Sequence, residues 1–244
     1  MGELIAFLSG KGGTGKTSLC AGVASTLAKK GESVLCIDCD VGLRNLDIAL
    51  AMTESGALSF REVYEGNYDL SQAAVHPIYS NLHFLTAPVN CSAGDIDSQA
   101  FADLLRLARK NFSYVFLDAP AGLEAGFRLA ASYADRIIVV TVTDPASIRD
   151  AARTGELLEL MGKRDVRLIV NRVNERLYNA GKFTVDDVID QTGLQLLGIV
   201  PEDTRVVLAA AAGKPLIKYT KKGAAAACGR IAERIQGYRV PVTL

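Results

Sequence analysis

The sequence predicts an α/β fold built on a predominantly parallel sheet with helices on both faces. Three observations carry this expectation. Short apolar runs alternate with helix-period segments along the whole chain. The runs are near-continuously apolar rather than alternating, as parallel strands covered on both faces require. The first run, Leu4-Ile5-Ala6-Phe7-Leu8, meets a glycine-rich turn that opens directly into a helical pattern carried by Leu19, Val23 and Leu27.

Taken in order, strands are expected at 4–8, 33–38, 82–86, 114–118, 136–141, 166–171 and 195–200, each a largely apolar run closed by a polar or turn residue. Helices are expected after the glycine turn and at 96–110, 145–161 and 222–236, and Thr184-Val185-Asp186-Asp187 reads as a capped helix start. No long linker or low-complexity tract interrupts the alternation, so residues 1–244 read as a single domain. In such sheets ligands bind beyond the carboxyl ends of the strands, and the residues there are the candidates.

Lys+Arg and Asp+Glu both number 27, so no bulk charge steers the chain to nucleic acid or to an anionic membrane, and no sequence-specific nucleic acid is expected. The start, Met1-Gly2-Glu3-Leu4, lacks the positive region of a signal peptide, and no apolar stretch approaches bilayer length. A soluble cytoplasmic protein is expected. The five cysteines are scattered and odd in number, which suits a reducing compartment. Cys36 and Cys39 have redox-motif spacing, but strand periodicity turns them to opposite faces, and both read as small buried hydrophobes. His76 and His83 have no ligand-like neighbours and read as structural or exposed.

The glycine turn is Ser9-Gly10-Lys11-Gly12-Gly13-Thr14-Gly15-Lys16-Thr17-Ser18, a P-loop by the spacing of Gly10, Gly15, Lys16 and Thr17. Glycines let successive N–H groups converge as a concave anion site, and the following helix adds the positive end of its dipole. Lys16 is expected to reach the β- and γ-phosphates of ATP, and the Thr17 hydroxyl to hold Mg²⁺. Asp118 closes a strongly apolar strand and leads into Ala119-Pro120-Ala121-Gly122. A buried aspartate there needs a partner, and Mg²⁺ with its waters is a candidate.

A second lysine in the loop, Lys11, is not needed for nucleotide binding. The form Lys-Gly-Gly-Thr-Gly-Lys-Thr resembles the deviant Walker A motif of the MinD/ParA family of P-loop ATPases, most closely its MinD-type members. Residues 38–47, Asp-Cys-Asp-Val-Gly-Leu-Arg-Asn-Leu-Asp, resemble that family's switch I, and residues 118–122 its switch II. The resemblance spans residues 3 to about 236. It implies that Lys11 reaches a partner's nucleotide across an ATP-dependent homodimer and that Asp40 positions or deprotonates the attacking water. Asp38 would bind Mg²⁺ through water, with a turn-capping role as the plainer alternative. It further implies that Arg44, Asn45 and Asp47 face the dimer partner and that the Gly122 N–H meets the γ-phosphate. Asn171 and Arg172, with the Pro201-Glu202-Asp203 loop, would meet the adenine. Residues 147–153 would face the partner and effectors, with Asp144 receiving the incoming Lys11; a charged helix start with i,i+4 pairs serves equally well.

MinD-type proteins usually end in a basic amphipathic helix. Here residues 237–244 include Gly237 and Pro241 and lack that periodicity, so no separate membrane-targeting helix is expected, and a place at the inner face of the cell membrane would need a partner. Lys214, Lys218, Lys221 and Lys222 read as a solvated face. The resemblance implies a spatial switch, hydrolysing ATP in division-site selection and read by a protein effector. The alternative is a nucleotide-gated scaffold, or a ParA-class positioning ATPase with another cargo and little intrinsic hydrolysis.

Overall fold

The computed structural model describes residues 1–89, 91–179 and 184–244. The elements are β1 Glu3–Leu8, α1 Lys16–Lys29, β2 Val34–Asp38, α2 Leu46–Leu50, α3 Phe60–Tyr64, β3 Ala74–Val75, β4 Leu82–Leu85, α4 Ser98–Asn111 and β5 Tyr114–Asp118. There follow α5 Ala125–Tyr133, β6 Arg136–Thr141, α6 Pro145–Leu160, β7 Val166–Val173, α7 Glu175–Asn179, α8 Val185–Thr192 and β8 Gln195–Pro201. The chain continues with α9 Arg205–Ala211, α10 Leu216–Tyr219 and α11 Ala224–Ile235.

The strands form one eight-stranded sheet in the order β3-β4-β2-β5-β1-β6-β7-β8. Every neighbouring pair is parallel except β3 with β4. The predicted class therefore holds, with an antiparallel edge strand that the sequence reading did not contain. At two residues β3 is too short for any periodicity to mark it.

Alternate residues of each strand feed two cores. Ile5, Phe7, Cys36, Phe84 and Phe116 face α1 and α11, whereas Leu4, Ala6, Leu35, Ile37 and Leu117 face α4 and α5. The continuity of the apolar runs has this cause, since beyond their first residues the central strands β1, β2, β5 and β6 are buried on both faces. Cys36 and Cys39 lie in opposite cores, fully buried and unpaired, as the period of two requires. A third cluster packs β7 and β8 against α6 and α8.

The last helix rests on α1 and approaches it closely over Gly22: a Cβ there would sit 2.7 Å from Cys228 Sγ. Among the described residues no helix is long and apolar enough to cross a membrane. His76 is a structural residue, with Nε2 2.9 Å from the Leu50 carbonyl oxygen and Nδ1 accepting from the backbone of Ile78 and Tyr79.

The central crossovers bring the ends of β1, β2 and β5 side by side. Asp38 and Asp118, eighty residues apart in sequence, are register partners at those ends. Strand β7 runs two residues past Asn171, where sequence reading ends it. Its ladder with β8 is irregular there and Arg172 takes a left-handed φ of 52°.

Candidate nucleotide site

Leaving β1, the chain turns through Ser9 to Gly15 before α1 begins at Lys16. Gly13 and Gly15 have φ of 80° and 86°, a region open to glycine at no steric cost, and Gly15 is the N-cap of α1. A Cβ on Gly15 would stand 2.3 Å from the Asn171 side-chain amide, while the space above Gly13 is clear. The loop walls a cleft of about 420 Å³, also lined by Lys16, Thr17, Ser18, Asp40, Asn45 and Arg172. An adjoining cleft of about 280 Å³ takes in Asn171, Pro201 and Asp203. Nearly all the predicted site residues thus gather at one end of the sheet.

Gly10 is an exception. It does not line the cleft; a Cβ on it would meet the Asp150 carbonyl oxygen at 2.8 Å and Thr154 Oγ1 at 2.9 Å. Glycine is required there so that the loop can lie against α6, a packing reason rather than a phosphate contact.

Lys16 does not reach into open space. Its Nζ lies 2.6 Å from Asp118 Oδ1, and both side chains are nearly fully buried. A buried cation without a counter-charge is costly, and Asp118 is the nearest one. Burial pushes the Asp118 carboxyl above its ordinary range, and the opposing charge and hydrogen bond of Lys16 do not fully offset it.

Asp38 is fully buried and takes the turn-capping role. Oδ1 accepts from the Asp40 N–H at 2.9 Å and Oδ2 from the Leu46 N–H at 3.1 Å, closing the neck of segment 40–46. Burial, then the charge of Asp118, raises its pKa to about 7 against these backbone bonds. Within that segment Asp40 lines the cleft, and among the described residues its carboxylate makes no ion pair. Arg44, expected to face a partner, turns inward instead, its Nε donating to Thr86 Oγ1 at 2.9 Å. Asn45 is exposed on the cleft, and Asp47 accepts from the Ile48 N–H at 2.7 Å.

Three other expectations are modified by bonds within the chain. The Gly122 N–H donates to the Ser9 carbonyl oxygen at 3.0 Å, so that donor is engaged within the chain. The Asn171 amide donates to the Thr14 carbonyl oxygen at 2.7 Å, so its first role is to hold the P-loop. Asp203 turns its carboxylate to Arg205 Nε at 2.7 Å and to the Ala224 N–H at 2.9 Å, capping α11. Burial would raise its pKa, yet the bonds from Arg205 and Ala224 hold it below the ordinary value. Pro201, buried, and Arg172 line the same cleft.

Lys11 stands outside the cleft, about half exposed, with Nζ 3.6 Å from Asp144 Oδ1 of its own chain. Asp144 caps α6 through the Ser147 N–H at 3.0 Å and the Ser147 hydroxyl at 2.6 Å. Those bonds, with a smaller part from Lys11, lower its pKa. Asp144 is thus already the partner of a Lys11 that sequence reading brought from another subunit.

Thr14, in the variable part of the motif, buries a hydroxyl that has no hydrogen-bond partner among the described residues. Val206, Ala209 and Leu216 complete the cleft wall but carry no mark in the sequence that separates them from ordinary core residues.

The donor set suits Mg²⁺. Lys16 Nζ lies 3.4 Å from Thr17 Oγ1 and 2.6 Å from Asp118 Oδ1, so the two hard oxygens stand around one ammonium beside the cleft. Among the described residues no group of three His, Cys, Asp or Glu could hold a metal alone.

Fold and site together define a P-loop nucleotide-binding protein of the kind with a second lysine in its loop. The CobQ/CobB/MinD/ParA nucleotide binding domain matches residues 5–216, and the chain belongs to that family. It is 35% identical over 246 residues to the septum site-determining protein MinD of Bacillus subtilis, covering 99% of this chain and 92% of the relative. The MinC:MinD cell division protein complex of Aquifex aeolicus superposes with a TM-score of 0.91 at 34% identity, over 99% of this chain and 98% of that one. The septum site-determining protein MinD of Pyrococcus horikoshii, complexed with Mg-ADP, shares the fold with a TM-score of 0.82 at 24% identity, over 96% of each chain.

Proposed function

We propose that this chain binds Mg-ATP in the P-loop cleft, dimerises through the nucleotide and hydrolyses it to ADP and phosphate, as a spatial switch in selecting the cell-division site. The observation that carries hydrolysis is Asp40. It is a carboxylate on the cleft wall without an ion-pair partner among the described residues, facing a phosphate cradle that needs no acid for binding.

In this reading the loop amides and the helix dipole hold the phosphates, and Lys16 exchanges Asp118 for phosphate oxygens. Asp40 orients the attacking water and takes its proton. Mg²⁺, held by Thr17 and Asp118 and through water by Asp38, would neutralise charge on the β- and γ-phosphates. Pro201, Arg172 and the free face of the Asn171 amide would receive the adenine. Lys11 would leave Asp144 for the nucleotide of a second copy. The relatives' role as septum site-determining proteins supports the division-site assignment, and the MinC partner of the Aquifex protein supports a protein effector.

Steady ATP turnover tests this. Asp40→Ala should retain nucleotide and lose about a hundredfold or more in rate, the scale of general-base assistance, and Lys16→Ala should lose binding or hydrolysis. Loss of binding in Asp40→Ala would make that residue structural. One observation favours the scaffold reading: Asp38 and the Gly122 N–H are both satisfied within the chain. An absence of turnover in the parent protein, with nucleotide bound, would select it.

A further inference from the structure

Segment 40–46 is a loop clamped at two points. At its neck the Asp38 carboxylate holds both ends, through the N–H groups of Asp40 and Leu46. Near its tip Gly42 has a φ of 135° and Arg44 a left-handed φ of 48°. A non-glycine residue persists in that conformation only where its surroundings hold it there. The holding contact is the bond from Arg44 Nε to Thr86 Oγ1 at 2.9 Å, beside the Val41 side chain packed on the core.

Thr86 is a firm anchor. It is buried, its N–H donates to the Leu58 carbonyl oxygen, and its own carbonyl accepts from Phe60, both at 2.9 Å. It lies just past β4, outside every nucleotide motif of the chain, forming a bridge with Ser59, the N-cap of α3.

We propose that Thr86 is a positioning residue for ATP hydrolysis: its hydroxyl docks Arg44 and so fixes the loop that carries Asp40 against the cleft. The inference rests on the reading of Asp40 as the water-orienting group. Nucleotide binding draws on the P-loop amides and Lys16, none of which touches Thr86, so the effect falls on turnover rather than affinity. A guanidinium–hydroxyl bond at a half-buried site corresponds to roughly a three- to tenfold change in rate.

Thr86→Val tests this, because valine keeps the branched shape and leaves only the partly exposed Arg44 unpaired. ATP turnover should fall about three- to tenfold with nucleotide affinity within about twofold, and Thr86→Ser should restore the rate. Arg44→Lys, which loses the Nε donor, should add no further loss on top of Thr86→Val. Amide exchange on the nucleotide-free proteins supplies a readout independent of hydrolysis: residues 41–45 should exchange faster in Thr86→Val while β2 and β4 stay protected. Unchanged exchange in the loop overturns the docking role. Faster exchange with unchanged turnover overturns the positioning role, as does a Thr86→Ser protein as slow as Thr86→Val. If the parent protein does not turn over ATP at all, the hydrolysis reading fails, and the exchange result still decides the docking.

Discussion

The Lys16 ammonium and the Asp118 carboxylate stand 2.6 Å apart, buried where the first turn of α1 meets the end of β5. The loop's essential cation is therefore already engaged before any phosphate arrives. A phosphate that takes Lys16 leaves Asp118 buried without a partner unless a second cation replaces the lysine. On the proposed reading, nucleotide and metal would be coupled through this pair.

Removing Mg²⁺ should accordingly weaken nucleotide binding far more than loss of a surface ion contact would. An unpaired buried charge costs about 3–5 kcal/mol, so an affinity loss of at least about a hundredfold is expected in a chelator. Asp118→Asn should lose most of that metal dependence. Calorimetric titration with and without chelator measures both, and equal affinities in the parent protein would refute the coupling.

Asp38 predicts a pH dependence of stability. Its folded pKa of about 7 lies above the ordinary carboxylate value of 3.8. Between those values the folded state binds more protons than the unfolded chain, so this group's contribution to stability is lost as pH rises from about 4 to about 7 and is flat above. The full span is at most about 4 kcal/mol. Urea midpoints of metal-free protein at pH 5 and 8 should show a larger alkaline loss in the parent than in Asp38→Asn. Equal losses would count against a raised Asp38.

Asn171 should matter to phosphate as well as to the base, because its amide holds the Thr14 carbonyl of the P-loop. Asn171→Ala should lower ATP affinity about tenfold, the scale of one buried hydrogen bond with its acceptor left unmet. It should also weaken binding of inorganic tripolyphosphate, which has no base. Tripolyphosphate affinity unchanged by the substitution would return Asn171 to base recognition alone.

Lys11 and Asp144 are each nearly half exposed and 3.6 Å apart, an ion pair that solvent and salt weaken and that another subunit's phosphate can displace. With ATP, Asp40→Ala should form a dimer, while the ADP form stays mainly monomeric. Lys11→Ala should bind nucleotide yet stay monomeric and fail to hydrolyse it. Light scattering with each nucleotide reads this out, and a mass independent of nucleotide together with full turnover in Lys11→Ala would rule it out.

The sequence alone determined the fold class, the ends of β1, β2, β5 and β6, and the phosphate loop, because each is written in local chemistry. Doubly covered strands demand unbroken apolar runs, and the turn before Lys16 demands glycine where φ is positive. The family resemblance, carried by residues 9–18 and 38–47, pointed to the acids and the second lysine. Only the tertiary structure decided which groups satisfy one another. Lys16 meets Asp118 across 102 residues and Asn171 meets Thr14 across 157. Those pairings follow from β1 lying between β5 and β6, and from β7 curving past its expected end, and neither leaves a periodic trace. The same holds for Asp38 as a loop clamp, Gly10 as a packing site, Asp203 as a helix cap and Thr86 as an anchor. A carboxylate or hydroxyl in a sequence shows what it can bind, but its partner is set by the burial that removes water as the alternative.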